Sequence, residues 1–159
     1  MIAGRNDVEE VQSNILDHQI PILYYDFGVR KILCGVHKGR ELGALDYILN
    51  EKNRFPNLKI HGVFTHEEEA NLWNEKDREK LYHAIRFCDE EWILKPVYGN
   101  EMRFQRNIVM MDRCDIVFLL GRDREIEFWA AKMKKPIIRV DTVKNRLIPS
   151  VHLYRKSER

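Results

Sequence analysis

The chain has 159 residues, 44% of them hydrophobic, which is enough to bury one core without metal or disulfide cross-links. Its 27 basic and 25 acidic residues are interspersed and give a formal net charge of +2, which argues against duplex nucleic acid or a membrane surface as a partner. Three cysteines, far apart and beside apolar residues, indicate reduced packing thiols. Without a long apolar run or a cleavable leader, the chain is expected to be cytoplasmic.

Short apolar strands alternate with helical patterns along the chain, which is typical of a layered α/β fold with a mostly parallel central sheet. The strands are predicted at residues 1–3, 31–34, 59–64, 92–94, 116–120 and 136–140. The helices between them are predicted from apolar residues that share one face, namely Val8, Val11 and Ile15; Leu42, Leu45, Ile48 and Leu49; Leu81, Ala84, Ile85 and Cys88; Phe104, Ile108 and Met111; Ile126, Trp129, Ala130 and Met133. We expect one domain over residues 1–143, followed by a polar tail or edge strand over 144–159.

Three helix starts carry capping signals. Asp7 precedes the first helical pattern, and both Thr65 with Glu68 and Asn74 with Asp77 have the spacing of a capping box. These pairs predict two successive helix starts after the third strand.

The segment Pro21–Phe27 is ambiguous by its pattern. It predicts a short helix with Pro21 in its first turn and Gly28 after its end, and the aromatic run makes a strand the alternative.

Residues 31–44 indicate a buried strand, a glycine turn and then an amphipathic helix. Gly35 and Gly39 allow the backbone to approach a ligand, and the amides and dipole at the start of the helix favour an anion. Rossmann-like folds hold phosphates in this way, so we expect a Rossmann-like three-layer domain with a phosphate site here. The alternative is a tight strand-to-helix turn that binds nothing.

In an open parallel sheet, ligands bind outside the carboxyl ends of the strands, where the strand order reverses. That rule gathers the residues that follow four predicted strands into one cleft. They are Gly4 and Arg5, Gly35–Glu41, Thr65 and His66, and Gly121–Arg124.

A family resemblance rests mainly on the stretch Tyr98–Asp115, in which Tyr98, Gln105-Arg106-Asn107, Asp112 and Asp115 precede an apolar strand. Trp73 after the acidic run Glu67–Glu69, the glycine stretch Gly35–Gly43 and the Gly4-Arg5 turn also match. With these motifs the sequence resembles the SLOG superfamily of Rossmann-like nucleotide-binding proteins, which includes the LOG cytokinin-activating phosphoribohydrolases and the DprA/SMF proteins. It is most similar to the YpsA-like branch, from Gly4 to about Val140.

The resemblance implies a protein that binds a nucleotide or a nucleotide-derived ligand, ADP-ribose-like or a nucleoside monophosphate, as a sensor or sequestering protein. It implies no metal and no separate cofactor, and it leaves a homodimer or higher homo-oligomer open because relatives often self-associate. The implied ligand-binding residues are Gly4, Arg5, Gly35, His37, Lys38, Gly39, Glu41, Thr65, Arg106, Asn107, Gly121 and Arg122.

One departure from the superfamily concerns the loop after the fifth strand. LOG-type enzymes carry Gly-Gly-x-Gly-Thr-x-x-Glu there, whereas this chain has Leu120-Gly121-Arg122-Asp123 and continues to Glu127. Without the paired glycines the backbone cannot approach a phosphate in the same way, although Arg122 and Arg124 offer guanidinium groups for it. A nucleotide N-glycosidic hydrolase, with Glu127 or Glu41 as the catalytic carboxylate, is therefore the second hypothesis. A ligand-free interaction module is the third.

Several of these residues also have purely structural interpretations. Arg106 is a candidate for a buried ion pair with Asp112 or Asp115. Glu41 and Glu127 both fall in first helical turns, where the helix dipole favours acids, and we favour that explanation.

Other chemistries are disfavoured by the motifs that the sequence lacks. Ala70 stands where a zinc-protease motif opened by His66-Glu67 would need histidine, and the cysteines lack the paired spacing of structural zinc sites. No serine lies in a nucleophile elbow, and neither Walker A nor Gly-x-Gly-x-x-Gly is present.

Overall fold

The computed structural model describes residues 1–4, 13–65, 67–94, 102–141 and 146–149. In these ranges the strands are β1 (Ile2–Gly4), β2 (Lys31–Gly35), β3 (Lys59–Phe64), β4 (Glu90–Ile93), β5 (Val117–Leu120), β6 (Ile137–Asp141) and β7 (Arg146–Pro149). They form one sheet in the order β4-β3-β2-β1-β5-β6-β7. The first six strands run parallel to their neighbours, and β7 pairs antiparallel with β6. Strand β7 falls within 144–159, the segment predicted as a tail or edge strand.

The described helices are α1 (Ser13–Pro21), α2 (Arg40–Asn50), α3 (Glu75–Phe87), α4 (Met102–Asp112) and α5 (Arg124–Lys132). Apolar residues of α1, α2 and α3 pack on one face of the sheet, and those of α4 and α5 pack on the other. Alternate residues of the strands join the two cores: Phe118 and Leu120 lie in the first, and Val117 and Leu119 in the second. Both faces are covered, which explains why the central strands are apolar throughout. The expected α/β three-layer Rossmann-like domain is confirmed. No helix among the described residues is long and apolar enough to cross a membrane.

The chain reverses its direction across the sheet between β1 and β5. Strands β1 to β4 are laid down in sequence toward one edge, and the chain then returns to place β5 on the other side of β1. At the carboxyl ends of these neighbours Gly4 lies opposite Leu120. This is the switch point at which doubly wound sheets bind ligands.

The segment after Pro21 is helical, so the strand alternative is wrong. It is not a separate helix, however: Pro21 is the last residue of α1, and Ile22–Asp26 continues as a π-helical turn. Proline lacks the N–H that an α-helix would use at this point, and burial of Leu23 and Tyr24 keeps the chain coiled against the core. Gly28, at φ 67°, follows the end of the turn as predicted.

Other element boundaries differ in part from the prediction. Strand β4 begins at Glu90 rather than Trp92, because an edge strand tolerates exposed acidic residues. The helix start at Asn74 is confirmed: the Asp77 amide donates to Asn74 Oδ1 at 2.9 Å, and the Asp77 carboxylate accepts from the Asn74 side-chain amide at 2.8 Å. After Thr65 the chain forms only a short 3-10 segment, Glu67–Leu72, instead of an α-helix. The predicted cap at Asp7, with Val8 and Val11, lies outside the described residues.

Candidate functional site

The loop from β2 to α2 places two glycines at the carboxyl edge of the sheet. Gly35 is the last residue of β2, and Gly39 precedes the first residue of α2 with φ 107° and ψ −141°. That φ lies in the region that favours glycine, so no other residue can start this helix here without strain. Gly39 also brings no capping side chain to the amides of the first helical turn, of which that of Leu42 donates to the His37 carbonyl at 3.2 Å. The start of α2 therefore has the properties of an anion site.

A fully buried ion pair lies beside this loop. Arg106 Nη2 donates to Glu41 Oε2 at 2.6 Å, and both side chains are completely shielded from solvent. Glu41 is in the first turn of α2 and Arg106 is in α4, on opposite faces of the sheet, so the two side chains meet at the end of β2. Asn107 Oδ1 accepts a further hydrogen bond from Arg106 Nη2 at 3.1 Å.

Gly35 makes room for this pair. A Cβ at that position would lie 2.6 Å from both Arg106 Cζ and Glu41 Oε2, and 2.8 Å from Arg106 Nη2. Real side chains do not approach so closely. The requirement for glycine is steric at Gly35 and conformational at Gly39, so the two glycines of the motif serve different purposes.

The ion pair leaves one polar atom of each side chain without a hydrogen bond from the described residues. Glu41 Oε1 and Arg106 Nη1 are buried and have no hydrogen-bond partner in the described part of the chain. An unpaired buried polar atom costs about 1–3 kcal/mol, and more when the group is charged. Such atoms are rare in native proteins, and each calls for an explanation such as a water molecule, an ion or a catalytic role.

A second set of contacts connects the same loop to the switch point. Arg40 Nη1 donates to the Leu120 carbonyl at 2.9 Å and so joins the start of α2 to the end of β5. Gly121 follows at φ 87°. Asp123 then caps α5 by accepting from the amides of Glu125 and Ile126 at 3.1 and 3.2 Å. Neither the contact of Arg40 with Leu120 nor the cap by Asp123 is among the sequence-based predictions. The signal for the cap is the position of Asp123 directly before an amphipathic helix.

The cysteine next to Gly35 is a packing residue. Burial, with a smaller effect of Glu41, raises the pKa of Cys34 well above its usual value. Its thiol lies 3.5 Å from the Glu41 carbonyl. Cys88 and Cys114 are also free thiols, and burial raises the pKa of Cys88 to about 11. Cys34 and Cys114 are buried in the two cores, as the interpretation of packing residues predicts, and a neutral buried thiol is a poor nucleophile.

The remaining predicted residues occupy different positions around the edge. Lys38 is half-exposed and pairs with Asp77 of α3 at 3.2 Å, while the His37 ring lies 6.3 Å from the Trp73 ring. Thr65 is buried directly after β3, and Arg122 is exposed after Gly121. Gly4 ends β1. Arg5 and His66 lie outside the described residues.

The predicted partners of Arg106 are wrong. Asp112 ends α4 and Asp115 lies in the following loop, and both are exposed. Helix α4 runs back toward the amino ends of the strands, so these two acids are at the opposite edge from the site. The buried ion pair itself was correctly anticipated, with Glu41 in place of an aspartate.

The two candidate catalytic carboxylates are held by different arginines. Glu41 pairs with Arg106, whereas Glu127 Oε1 on α5 lies 3.2 Å from Arg139 Nη1 on β6. Both acids are in the first turns of their helices, as the dipole interpretation predicted. Within the described residues no cluster of three or more His, Cys, Asp or Glu side chains is arranged to hold a metal ion.

Comparison with known proteins identifies the family of this chain. A search of curated proteins finds none that resembles this chain. The family model YpsA, described as the YspA SLOG family, matches residues 6–146. This range contains the glycine loop, the Arg106–Glu41 pair and the β5–α5 loop, and it spans most of the sequence. The chain therefore belongs to the SLOG superfamily, in its YpsA-like branch.

Proposed function

We propose that this protein binds a nucleotide or a nucleotide-derived ligand, ADP-ribose-like or a nucleoside monophosphate, at the carboxyl edge of its sheet, as a sensor or sequestering protein. Membership of the SLOG family favours a nucleotide-related function. The observation that carries the proposal is the pair of unsatisfied buried atoms, Glu41 Oε1 and Arg106 Nη1, next to the start of α2. A carboxylate acceptor and a guanidinium donor side by side match a ribose hydroxyl and a phosphate oxygen.

We assign a part of the ligand to each region. A phosphate binds at the start of α2, where the backbone at Gly39 approaches without a side chain and the helix dipole favours negative charge. Lys38 and Arg122 are both exposed on loops at this edge and add positive charge. Glu41 Oε1 accepts from a ribose hydroxyl, and Asn107 holds the Arg106 guanidinium in position.

N-glycosidic hydrolysis is the second candidate function, because one oxygen of the buried Glu41 carboxylate has no hydrogen-bond partner in the described part of the chain. A carboxylate beside the glycosidic bond stabilises oxocarbenium-like charge and activates water. The same binding site thus serves either function, and only turnover separates them.

The first test is a thermal-shift measurement with AMP, GMP, ADP-ribose and inorganic phosphate. Ligand at a hundred times its Kd stabilises the folded state by about 2.7 kcal/mol, which raises the Tm of a domain of this size by about 5–10 °C. We expect at least one nucleotide to give this shift, and the double variant Lys38→Ala/Arg122→Ala to lose most of it.

The matched control is Arg86→Ala, which removes an exposed cation on α3 that lies over the Phe87 ring. The control should keep the full shift. Absence of a shift with every nucleotide on folded protein, or an equal loss in Arg86→Ala, would refute the proposal. If chromatography detects free base released from a bound nucleotide, the hydrolase function would replace the sensor function as the proposal.

A further inference from the structure

A cavity of about 390 Å³ opens beside the proposed phosphate site. It lies between α3, the 3-10 segment 67–72 and the carboxyl ends of β3 and β4. Phe64, Trp73, Tyr82 and Ile85 contribute apolar walls, and Arg78 and Glu91 contribute polar groups. This size and this mixture are typical of sites for small organic ligands.

The cavity is continuous with the glycine loop. Val36, the residue directly after Gly35, lines it. The Trp73 ring lies 6.3 Å from the ring of His37 in the same loop, and Lys38 pairs with Asp77, the neighbour of Arg78. A ligand held by a phosphate at the start of α2 therefore has this cavity within reach. A second cavity, of about 370 Å³, lies at the amino edge of the sheet and contains none of the predicted binding residues.

The polar groups of the cavity are available to a ligand. No hydrogen bond or ion pair joins the side chain of Arg78 or Glu91 to another residue of the described ranges. A guanidinium donates only and a carboxylate accepts only, so together they suit a ring whose edge carries both acceptors and N–H donors. Tyr82 and Ile85 are 64% and 41% exposed, and an aromatic occupant would bury them.

These features match a nucleobase. A base has two flat apolar faces, which aromatic and branched side chains cover, and an edge of alternating donors and acceptors. We propose that this cavity is the base subsite of the nucleotide ligand, with Tyr82 and Trp73 against the ring and Arg78 and Glu91 at its edge. The inference rests on the proposed function and adds the part of the ligand that the Glu41–Arg106 region does not recognise.

The test compares AMP and GMP with ribose 5-phosphate, which carries the phosphate and sugar but no base. Affinities are measured by calorimetry on the full chain, Tyr82→Ala and Glu91→Gln. Stacking of a base on an aromatic residue contributes about 5- to 150-fold in affinity. We expect whichever of AMP and GMP binds more tightly to bind at least tenfold more tightly than ribose 5-phosphate. Tyr82→Ala should remove most of this difference and leave the affinity for ribose 5-phosphate unchanged.

The matched control is Tyr25→Ala, since Tyr25 has the same 64% exposure as Tyr82 but lies in the π-helical turn after α1. It should change neither affinity. Equal binding of nucleotides and ribose 5-phosphate by the unmodified protein would overturn the base subsite and leave the proposed function standing. Failure of all three compounds to bind, together with no thermal shift from ADP-ribose, would overturn both. Dimerisation that Tyr82→Ala abolishes, with unchanged nucleotide affinity, would assign the cavity to a second copy of the chain instead.

Discussion

Gly35 shows how a single missing side chain permits a buried charge pair. Its Cα faces the guanidinium of Arg106 and the carboxylate of Glu41 at a distance that no Cβ can share. Taking two charges out of water is costly, and only close contact with further hydrogen bonds compensates for it. The 2.6 Å contact and the hydrogen bond to Asn107 supply these conditions only while position 35 has no side chain.

We predict that Gly35→Ala destabilises the protein by about 2–4 kcal/mol, because the new methyl group pushes the two fully buried, paired side chains apart. Urea denaturation followed by circular dichroism measures the change. Unaltered stability would show that Arg106 has another buried rotamer available and that the pair does not depend on this glycine.

Gly43→Ala is the matched substitution. Gly43 is inside α2, and a Cβ there meets nothing within 4 Å. Alanine in place of glycine in a helix interior stabilises by about 0.5–1 kcal/mol, so the same chemical change is expected to have opposite signs eight residues apart. A loss of stability in both variants would point to a general effect on α2 rather than to the ion pair.

The sequence identified the members of the ion pair but not their pairing. Both are predicted as ligand-binding residues, Glu41 from its place after the glycine loop and Arg106 from a family motif. They are 65 positions apart and come from helices on opposite faces of the sheet. Asp112 was the nearer acid in sequence, yet a helix of this length carries it to the far edge of the sheet. Long-range charge pairing depends on the path of the backbone, which local patterns do not contain.

Among the elements, α3 has the clearest local start signal. Asn74 accepts from the Asp77 amide at 2.9 Å and donates through Nδ2 to the Asp77 carboxylate at 2.8 Å. The cap satisfies an amide that has no partner within the helix. It also fixes the entry of the chain from the 3-10 segment 67–72 into the helix that lines the proposed base subsite.

We predict that Asn74→Ala lowers the free energy of unfolding by about 1 kcal/mol, because the first turn of α3 loses its side-chain acceptor. Asn74→Ser keeps a side-chain oxygen that can accept from the same amide, on a side chain one bond shorter, and should restore most of the loss. Chemical denaturation of both variants provides the comparison. Equal destabilisation by serine and alanine would mean that packing around Asn74, rather than the cap, supports the helix.

The segment after α1 shows why helix ends are harder to predict than helix starts. Proline is common in the first turn of a helix, and Pro21 is therefore predicted to lie there. In the structure Pro21 is the last residue of α1, and the helical path continues as a π-helical turn because Leu23 and Tyr24 are buried. Tertiary burial decides this continuation, and a preference for one turn position cannot anticipate it.

At the scale of the whole molecule, the parallel sheet explains how much of the site was predictable. In a parallel sheet the residues at the carboxyl ends of the strands must share one edge. Gly4 and Gly35 end β1 and β2, Thr65 and Gly121 directly follow β3 and β5, and all four lie at this edge. The base subsite was harder to anticipate, since it is formed by α3 and the edge strand β4, whose exposed apolar residues look like ordinary surface in the sequence.

The stability of the whole fold should depend on pH through His61. This residue lies on β3, with its side chain 3% exposed and its Nδ1 3.1 Å from Glu90 Oε2, without the alignment of a hydrogen bond. Burial lowers the pKa of His61 below its ordinary 6.5 and outweighs the opposing attraction of Glu90 and Asp89, which Lys31 and Lys59 offset in part. The folded protein therefore holds this imidazole neutral at a pH where the unfolded chain protonates it.

Because the unfolded state binds the extra proton, the contribution of His61 to stability is complete above pH 6.5 and is lost as the pH falls from there toward the lowered folded-state pKa. One proton gives a slope of at most about 1.4 kcal/mol per pH unit in this window. Urea denaturation at several pH values between 5 and 8 should show this slope in the unmodified protein and in His18→Gln, an exposed control. It should be shallower in His61→Gln, whatever the absolute stability of that variant, because glutamine does not titrate. Identical slopes in all three proteins would place the pH dependence elsewhere in the molecule.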